Sequence, residues 1–187
     1  MSAPSLVKAT TVQGVRDTIC RWFGGPYDPN TRSYRTPQVP GLGVVRRARP
    51  KREDNADFYV GAPAAGQLAG SQMFVHIDGG VETRAAFAGA FGGLKLLTSA
   101  VVLHVFLRSN AEWAEDAQDA FYDLLEALKR RCREDRCMGS GGWEQGGFDA
   151  GENDSWLRWS MAPSETAAEL THGYLSLEFE VRYYEEG

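Results

Sequence analysis

The segment Leu94–Leu107 is the feature that most constrains how this 187-residue chain folds. An extended strand turns alternate side chains to opposite faces, and here both faces are apolar. One face carries Leu96, Val102 and Phe106, and the other Leu97, Val101, Leu103, Val105 and Leu107. The run is shorter than the about 20 residues that a membrane-spanning helix needs. Because a strand that is apolar on both faces is covered on both sides, we expect a central strand whose second cover comes from another subunit.

Two amphipathic helices are predicted, one before this strand and one after it. Thr11–Phe23 has Thr10 or Thr11 as its N-cap and ends at Gly24-Gly25. Its apolar residues recur at three- and four-residue spacing: Val12, Val15, Ile19, Trp22 and Phe23. The second helix, Asn110–Asp135, is capped by Asn110 and carries a stripe of Trp113, Ala117, Ala120, Phe121, Leu124, Leu125, Leu128 and Cys132. We interpret the charges on its other side as a solvated face, with a docking face as the alternative.

Further strands are predicted from alternation and from turn residues. Leu42–Ala48 follows the turn Pro40-Gly41. Asp78-Gly79-Gly80 predicts a hairpin between Ser71–Ile77 and Val81–Phe87, because glycine accepts a positive φ. Gly139–Gly151 predicts an irregular strand or hairpin, and Ser155–Met161 a short strand. Gly173–Tyr184 predicts a strand whose core-facing residues are Leu175, Leu177, Phe179, Val181 and Tyr183.

The order of these elements predicts an α+β fold with a mostly antiparallel, mixed sheet and two main helices packed on one face. The length suits a single domain over residues 1–187. Two long loops are predicted, at 24–40 and 50–70, and the first is ordered if Tyr27, Tyr34 and Val39 cover a surface. Loops of this length are uncommon in a compact domain unless they are functional, so we expect them to form contact surfaces.

Composition narrows the classes of function. The net charge of -5 argues against a dedicated nucleic-acid binder, which neutralises phosphates with basic residues. Three cysteines, Cys20, Cys132 and Cys137, are a poor disulfide framework and fit a reducing compartment. The start of the chain lacks the charged and apolar regions of a secretory signal. These features favour a protein made in the cytoplasm with no membrane partner.

No residue pattern points to catalysis or to a bound cofactor. His76, His104 and His172 lie in or beside strand-like segments without a second ligand at metal spacing, and Cys132 and Cys137 lack a second pair. The glycines around Ser140 follow a helix, whereas a phosphate-binding loop follows a strand. We therefore predict that the chain is not an enzyme and holds no metal or cofactor.

A cluster of basic residues follows the predicted strand Leu42–Ala48. The acidic whole chain and the absence of interleaved aromatic residues favour an acidic protein partner over nucleic acid, and a solvated strand exit remains the alternative. The candidate partner-interface residues are Arg46, Arg47, Arg49, Lys51 and Arg52.

Several runs of residues resemble the tail terminator proteins of long-tailed (siphovirus-type) phages that infect actinobacteria. The resemblance covers roughly Gly14–Gly151, most of the chain. It is carried by Val39–Val45 through Arg49-Pro50-Lys51, Phe74–Ile77 with Glu82-Thr83-Arg84, Gly92–Lys95, Val101–Ser109, Asp116–Arg133, and Arg136 with Met138-Gly139.

The resemblance implies a structural virion protein. Tail terminators form a six-membered ring on the head-proximal end of the tail tube, stop its polymerisation and present a surface to the head-completion proteins. DNA passes through the channel without being read, and Glu178 and Glu180 are our candidate channel-facing residues. Two alternatives are another neck or tail component, such as a head-closure ring or tail tube protein, and a small binding module or enzyme with a cavity beneath Trp143, Trp156 and Trp159.

Overall fold

The computed structural model describes residues 11–49, 69–84, 94–142, 145–151, 156–167 and 170–186. In these ranges the chain forms two helices, α1 (Val12–Gly24) and α2 (Ala114–Glu134). It also forms strands β1 (Tyr27–Asp28), β2 (Ser33–Tyr34), β3 (Val44–Arg46), β4 (Gly70–Arg84), β5 (Leu94–Ser109), β6 (Phe148–Ala150), β7 (Arg158–Met161), β8 (Glu165–Ala167) and β9 (Leu170–Glu186). Neither helix of the described ranges is long and apolar enough to cross a bilayer.

All of these strands belong to one mixed sheet in the order β1-β2-β3-β4-β5-β9-β6, and β7 and β8 also pair with β9. Strand β3 is parallel to β4, and the other pairings are antiparallel. The predicted α+β class with a mostly antiparallel sheet is therefore confirmed. The long strands β4, β5 and β9 form its centre, because β5 pairs with β4 on one side and with β9 on the other along its whole length.

The predicted hairpin around Asp78-Gly79-Gly80 is wrong. Strand β4 continues through these residues without reversing, and it pairs with β5 from Gly70 to Arg84. Asp78 is the extra residue of a β-bulge, since the pairing shifts between Ile77 and Gly79. Gly79 and Gly80 therefore lie at a bulge and not in a turn. Strand β5 is long enough to pair with β4 on both sides of the bulge, so the strand continues. Residues 85–87 of the predicted second arm lie outside the described residues.

Both helices pack on one face of the sheet, which we call the helix face. Its buried side chains alternate along the strands, as Met73 and Val75 do on β4 and Leu103 and Val105 on β5. The predicted core residues of β9 are all buried there: Leu175, Leu177, Phe179, Val181 and Tyr183. Val15, Ile19 and Phe23 of α1 and Phe121, Leu124 and Leu128 of α2 join the same core.

Helix α1 begins and ends as predicted. The Thr11 hydroxyl accepts a hydrogen bond from the backbone N–H of Gly14 at 3.0 Å, and Gly25 ends the helix with φ +72°. A residue with a side chain is strained at that φ, so glycine fits this position.

Helix α2 differs from the prediction at its start. It begins at Ala114, so Trp113 rather than Asn110 occupies the N-cap, and no side chain caps it. Trp113 precedes the first helical turn and is 63% exposed, and Ala120 is also exposed, so both were wrongly assigned to the apolar stripe. The other stripe residues are buried: Ala117, Phe121, Leu124, Leu125, Leu128 and Cys132.

The proline-rich segment 24–40 is ordered by burial of its apolar side chains. Strands β1 and β2 pair in it, Tyr34 and Val39 are buried, and Tyr27 packs on the core. The other predicted strands correspond to β3, β6, β7 and β9. The predicted loop 50–70 lies outside the described residues except for its last two positions.

Candidate functional site

The face of the sheet opposite the helices, which we call the open face, carries the candidate functional residues. In the described ranges neither helix packs on it, because the side chains of α1 and α2 join the core of the helix face. Its residues alternate along the strands with those of the helix face. They are Phe74, His76 and Asp78 on β4, Val102, His104 and Phe106 on β5, and Tyr174, Ser176, Glu178 and Glu180 on β9.

An aromatic band crosses the middle of the open face. It consists of Phe74, His76, His104, Phe106 and Tyr174. Phe74 stacks on His104 with ring centroids 4.7 Å apart and on Phe106 at 5.8 Å. Nδ1 of His104 lies 2.7 Å from the hydroxyl oxygen of Tyr174, so the band is joined by a hydrogen bond as well as by stacking. Three strands contribute to it, and the rings form a continuous surface that is half-buried except at His76, which is exposed.

The environment of His104 disfavours the charged form of its imidazole. Burial lowers its pKa, and the neighbouring His76 lowers it further. Nε2 of His76 lies 3.5 Å from a carboxylate oxygen of Asp78. Within the part of the chain that the structure describes, no three His, Cys, Asp or Glu side chains are grouped so that they could hold a metal ion.

Two members of the predicted arginine cluster form a basic corner at one end of the band. Arg46 leaves β3 on the open face, and its Nε donates to Oε1 of Gln72 at 3.3 Å. Cζ of Arg49 lies 5.4 Å from the centroid of the Phe106 ring. We call Arg46 and Arg49 the basic corner. Tertiary structure thus places an aromatic ring beside this cluster, although the local sequence contains none.

Arg47, the next member of the cluster, has an internal role. Its Nε lies 3.0 Å from Oδ1 of Asp17 on α1 and donates to the hydroxyl of Tyr34 at 3.3 Å. Its guanidinium carbon lies 3.9 Å from the centroid of the Tyr27 ring. Arg47 therefore ties the β1–β2 hairpin to α1. Lys51 and Arg52 lie outside the described residues.

An acidic cleft of about 240 Å³ opens at the other end of the band. Four carboxylates and two guanidinium groups line the cleft, and the ring of Trp156 is part of its wall. The charged residues are Asp78, Asp149, Glu178, Glu180, Arg158 and Arg182. We call this site the acidic cleft. The structure brings Glu178 and Glu180 together here, where both are exposed.

Trp156 and Trp159, two of the three tryptophans of the predicted cavity, lie at different places in the structure. Trp156 lines the acidic cleft, whereas Trp159 pairs with Leu177 on the helix face. Trp159 is 52% exposed there, and Nζ of Lys129 lies 5.5 Å from its ring. Trp143 lies outside the described residues.

The described strands leave the second half of β4 unpaired on the side away from β5, and we call this stretch the free edge of β4. Strand β3 pairs with β4 only at Gln72, Met73 and Phe74, and no other described strand lies on that side of β4. The edge from 78 to 84 is exposed, and Val81 is 67% exposed. The sequence prediction missed this edge because it placed a turn at Asp78-Gly79-Gly80.

The cysteines are poorly suited to nucleophilic chemistry. Burial raises the pKa of the Cys132 thiol to about 12, and burial also raises the pKa of Cys20. Cys137 is half-buried, and its pKa is raised by burial and by Asp135. Because the thiolate is the reactive form, these thiols are weak nucleophiles at neutral pH.

Comparison of the sequence with models of known protein families and with curated proteins finds no match.

Proposed function

We propose that this chain is a structural ring protein of a phage tail, the terminator that caps the head-proximal end of the tail tube. The observation that carries the proposal is the free edge of β4 beside a sheet that the described helices cover on one face only. The resemblance of residues 14–151 to tail terminators supports the same function. A ring of six copies follows from that resemblance, and its partners are the tail tube protein and a head-completion protein.

The free edge of β4 supports assembly of identical copies. Unpaired backbone N–H and C=O groups along an exposed strand are a template for pairing with another chain. The opposite edge of the sheet consists of the short strands β6, β7 and β8 beside β9. Contact between two different edges of neighbouring copies is heterologous, and such contacts close into a ring when the rotation fits.

The carboxylates of the open face support a ring in which this face lines the central channel. With the helices on the outside of a ring, Glu178 and Glu180 face inwards, as we expect for channel-facing residues. Carboxylates repel the phosphates of passing DNA and do not hold it. DNA then passes through the channel without sequence-specific binding.

The acidic cleft does not favour the alternative of a small-molecule binding module. Its volume of about 240 Å³ is below the roughly 300–1,000 Å³ of typical ligand pockets. Charged side chains dominate its lining, whereas such pockets are mostly apolar. We therefore assign no small-molecule ligand to the acidic cleft.

The test is the length of tail tubes. Purified protein is added to polymerising tube protein from the same phage, and tube lengths are measured by electron microscopy. We expect tubes to stop growing and to carry a ring at one end. Tubes that elongate without limit in its presence would contradict the proposal.

A variant at the free edge makes the test specific. A lysine on an edge strand discourages pairing with another chain, so Val81→Lys is expected to fold normally and to lose ring formation. Val12→Lys, at an exposed position on α1, is the matched control and is expected to cap tubes as the unaltered chain does. Equal capping by both variants would exclude the β4 edge from the ring contact.

A further inference from the structure

We propose that two copies of the free protein bind each other through their open faces, with the basic corner of each copy on the acidic cleft of the other. The inference is independent of the proposed function. It follows from the distribution of charge on one face of the sheet, which is basic at one end, aromatic in the middle and acidic at the other.

The two charged ends lie far enough apart to be engaged at the same time. Arg49 contacts Phe106, whereas Val102 and Ala100 line the acidic cleft further along β5. Four to six residues of strand separate these positions, which is roughly 13–20 Å at about 3.3 Å per residue. A two-fold axis that crosses the aromatic band midway therefore brings each end of one copy to the opposite end of its partner.

Charge favours this arrangement over one in which the two basic corners face each other and the two acidic clefts face each other. The acidic cleft has two more carboxylates than guanidinium groups, and the basic corner supplies two guanidinium groups. Arginine bonds carboxylates through two parallel N–H groups, so it suits this contact better than lysine does. The contact is made twice in the dimer, once at each end.

The aromatic band supplies the apolar centre. Phe74, Phe106 and Tyr174 are half-buried in the single chain, and a second copy would remove the rest of their surface from water. Aromatic residues at the centre and charged residues at the rim are typical of protein interfaces. Because the same face is proposed to line the channel of a ring, the dimer and the ring are alternative states of the protein.

The test uses charge reversal in two variants, with association measured by sedimentation. The first is Arg46→Glu/Arg49→Glu and the second is Glu178→Arg/Glu180→Arg. Each alone places like charges at both ends of its own dimer, so we expect each dissociation constant to rise by about tenfold or more. Mixed together, the variants again place opposite charges at both ends, and we expect the mixture to dimerise as the unaltered chain does.

Matched controls separate this contact from a general effect of charge. Asp119→Arg/Asp123→Arg and Arg130→Glu/Arg133→Glu make the same charge changes at exposed positions of α2 and are expected to leave dimerisation unchanged. For the unaltered chain, the dimer is expected to weaken as ionic strength rises from about 0.01 M to about 1 M, because the Debye length falls from about 30 Å to about 3 Å. Circular dichroism confirms the folding of each variant.

Three results would overturn the inference: an unaltered chain that stays monomeric at all concentrations, a dimer that neither reversal weakens, and a mixture that does not recover. A monomeric chain that still caps tubes would remove the dimer and leave the proposed function intact. A dimer with the expected charge dependence that fails to cap tubes would support this inference and contradict the proposed function.

Discussion

Trp22 of α1 and Arg131 of α2 are joined by two reciprocal hydrogen bonds, each from the side chain of one residue to the backbone carbonyl of the other. Nε1 of Trp22 donates to the carbonyl oxygen of Arg131 at 3.1 Å, and Nη2 of Arg131 donates to the carbonyl oxygen of Trp22 at 3.0 Å. Cζ of Arg131 also lies 3.6 Å from the centroid of the indole ring. The pair joins the two helices that cover the helix face, and each residue comes from the last third of its helix.

Arg131→Lys is expected to lower the free energy of unfolding by about 1–2 kcal/mol. Lysine keeps the charge but loses the planar group that bonds the Trp22 carbonyl and stacks on the indole. Urea denaturation measures the loss. Arg130→Lys, at the exposed neighbouring position, is the control and should change stability by less than about 0.5 kcal/mol. Equal effects of the two substitutions would show that the Trp22 contact contributes little.

Gly173 on β9 is required by the close approach of Phe121. A methyl group on Gly173 would lie 2.7 Å from Cδ2 of the Phe121 ring, which is shorter than van der Waals contact. Gly173→Ala is therefore expected to cost about 1–3 kcal/mol by overpacking. In a chain that already carries Phe121→Leu, the added cost of Gly173→Ala should be smaller, and a double-mutant cycle from urea denaturation measures the difference. An unchanged cost would place the strain elsewhere.

Leu124 belongs to the buried stripe of α2 and Trp113 does not, so alanine substitutions at the two positions are expected to affect stability differently. Leu124 is buried, so Leu124→Ala is expected to destabilise the protein by about 2–5 kcal/mol. Trp113 lies outside the helix and is mostly exposed, so Trp113→Ala should change stability by less than about 0.5 kcal/mol. Denaturant midpoints measure both. A large loss from Trp113→Ala would support the stripe predicted from sequence over the observed one.

Stability is expected to fall at alkaline pH because of Tyr34. Burial raises the pKa of its hydroxyl to about 12, whereas an unfolded tyrosine has a pKa of about 10. Between these values the folded state holds the proton and the unfolded state releases it, so the stabilisation is complete below pH 10 and is lost as pH rises. The free energy of unfolding is therefore expected to fall by about 1 kcal/mol between pH 9 and pH 11 through this one group.

Tyr34→Phe is the control for that prediction, because it removes the titrating group and keeps the ring. Unfolding curves at a series of pH values should fall less steeply for the variant than for the unaltered chain. Other groups with raised pKa values, such as Cys132, contribute equally to both proteins and cancel in the comparison. Identical slopes would contradict the assignment to Tyr34.

The helices and the alternation of the long strands were predictable from local pattern. The spacing of Val15, Ile19 and Phe23 predicts which side of α1 is buried, and the alternation from Leu175 to Tyr183 predicts the buried side of β9. These patterns suffice because burial selects apolar residues at the period of the element. The start of α2 was not predictable in the same way, since Asn110 is a favourable cap that the chain does not use.

Asp78-Gly79-Gly80 shows where local pattern fails. The residues suit a turn and a bulge equally well, because both accept glycine in unusual backbone conformations. The choice depends on β5, whose residues pair with β4 on both sides of the bulge. Pairing partners distant in sequence therefore decided the course of β4 and created its free edge.

Local sequence pattern was enough to predict the α+β class, both helices apart from the start of α2, and the buried side of β9, because periodic burial is a local property. Contacts between distant strands, by contrast, place Phe74, Phe106 and Tyr174 in one band and put Arg49 and Glu178 at its opposite ends. These residues come from distant parts of the chain, and strand register alone brings them onto one face.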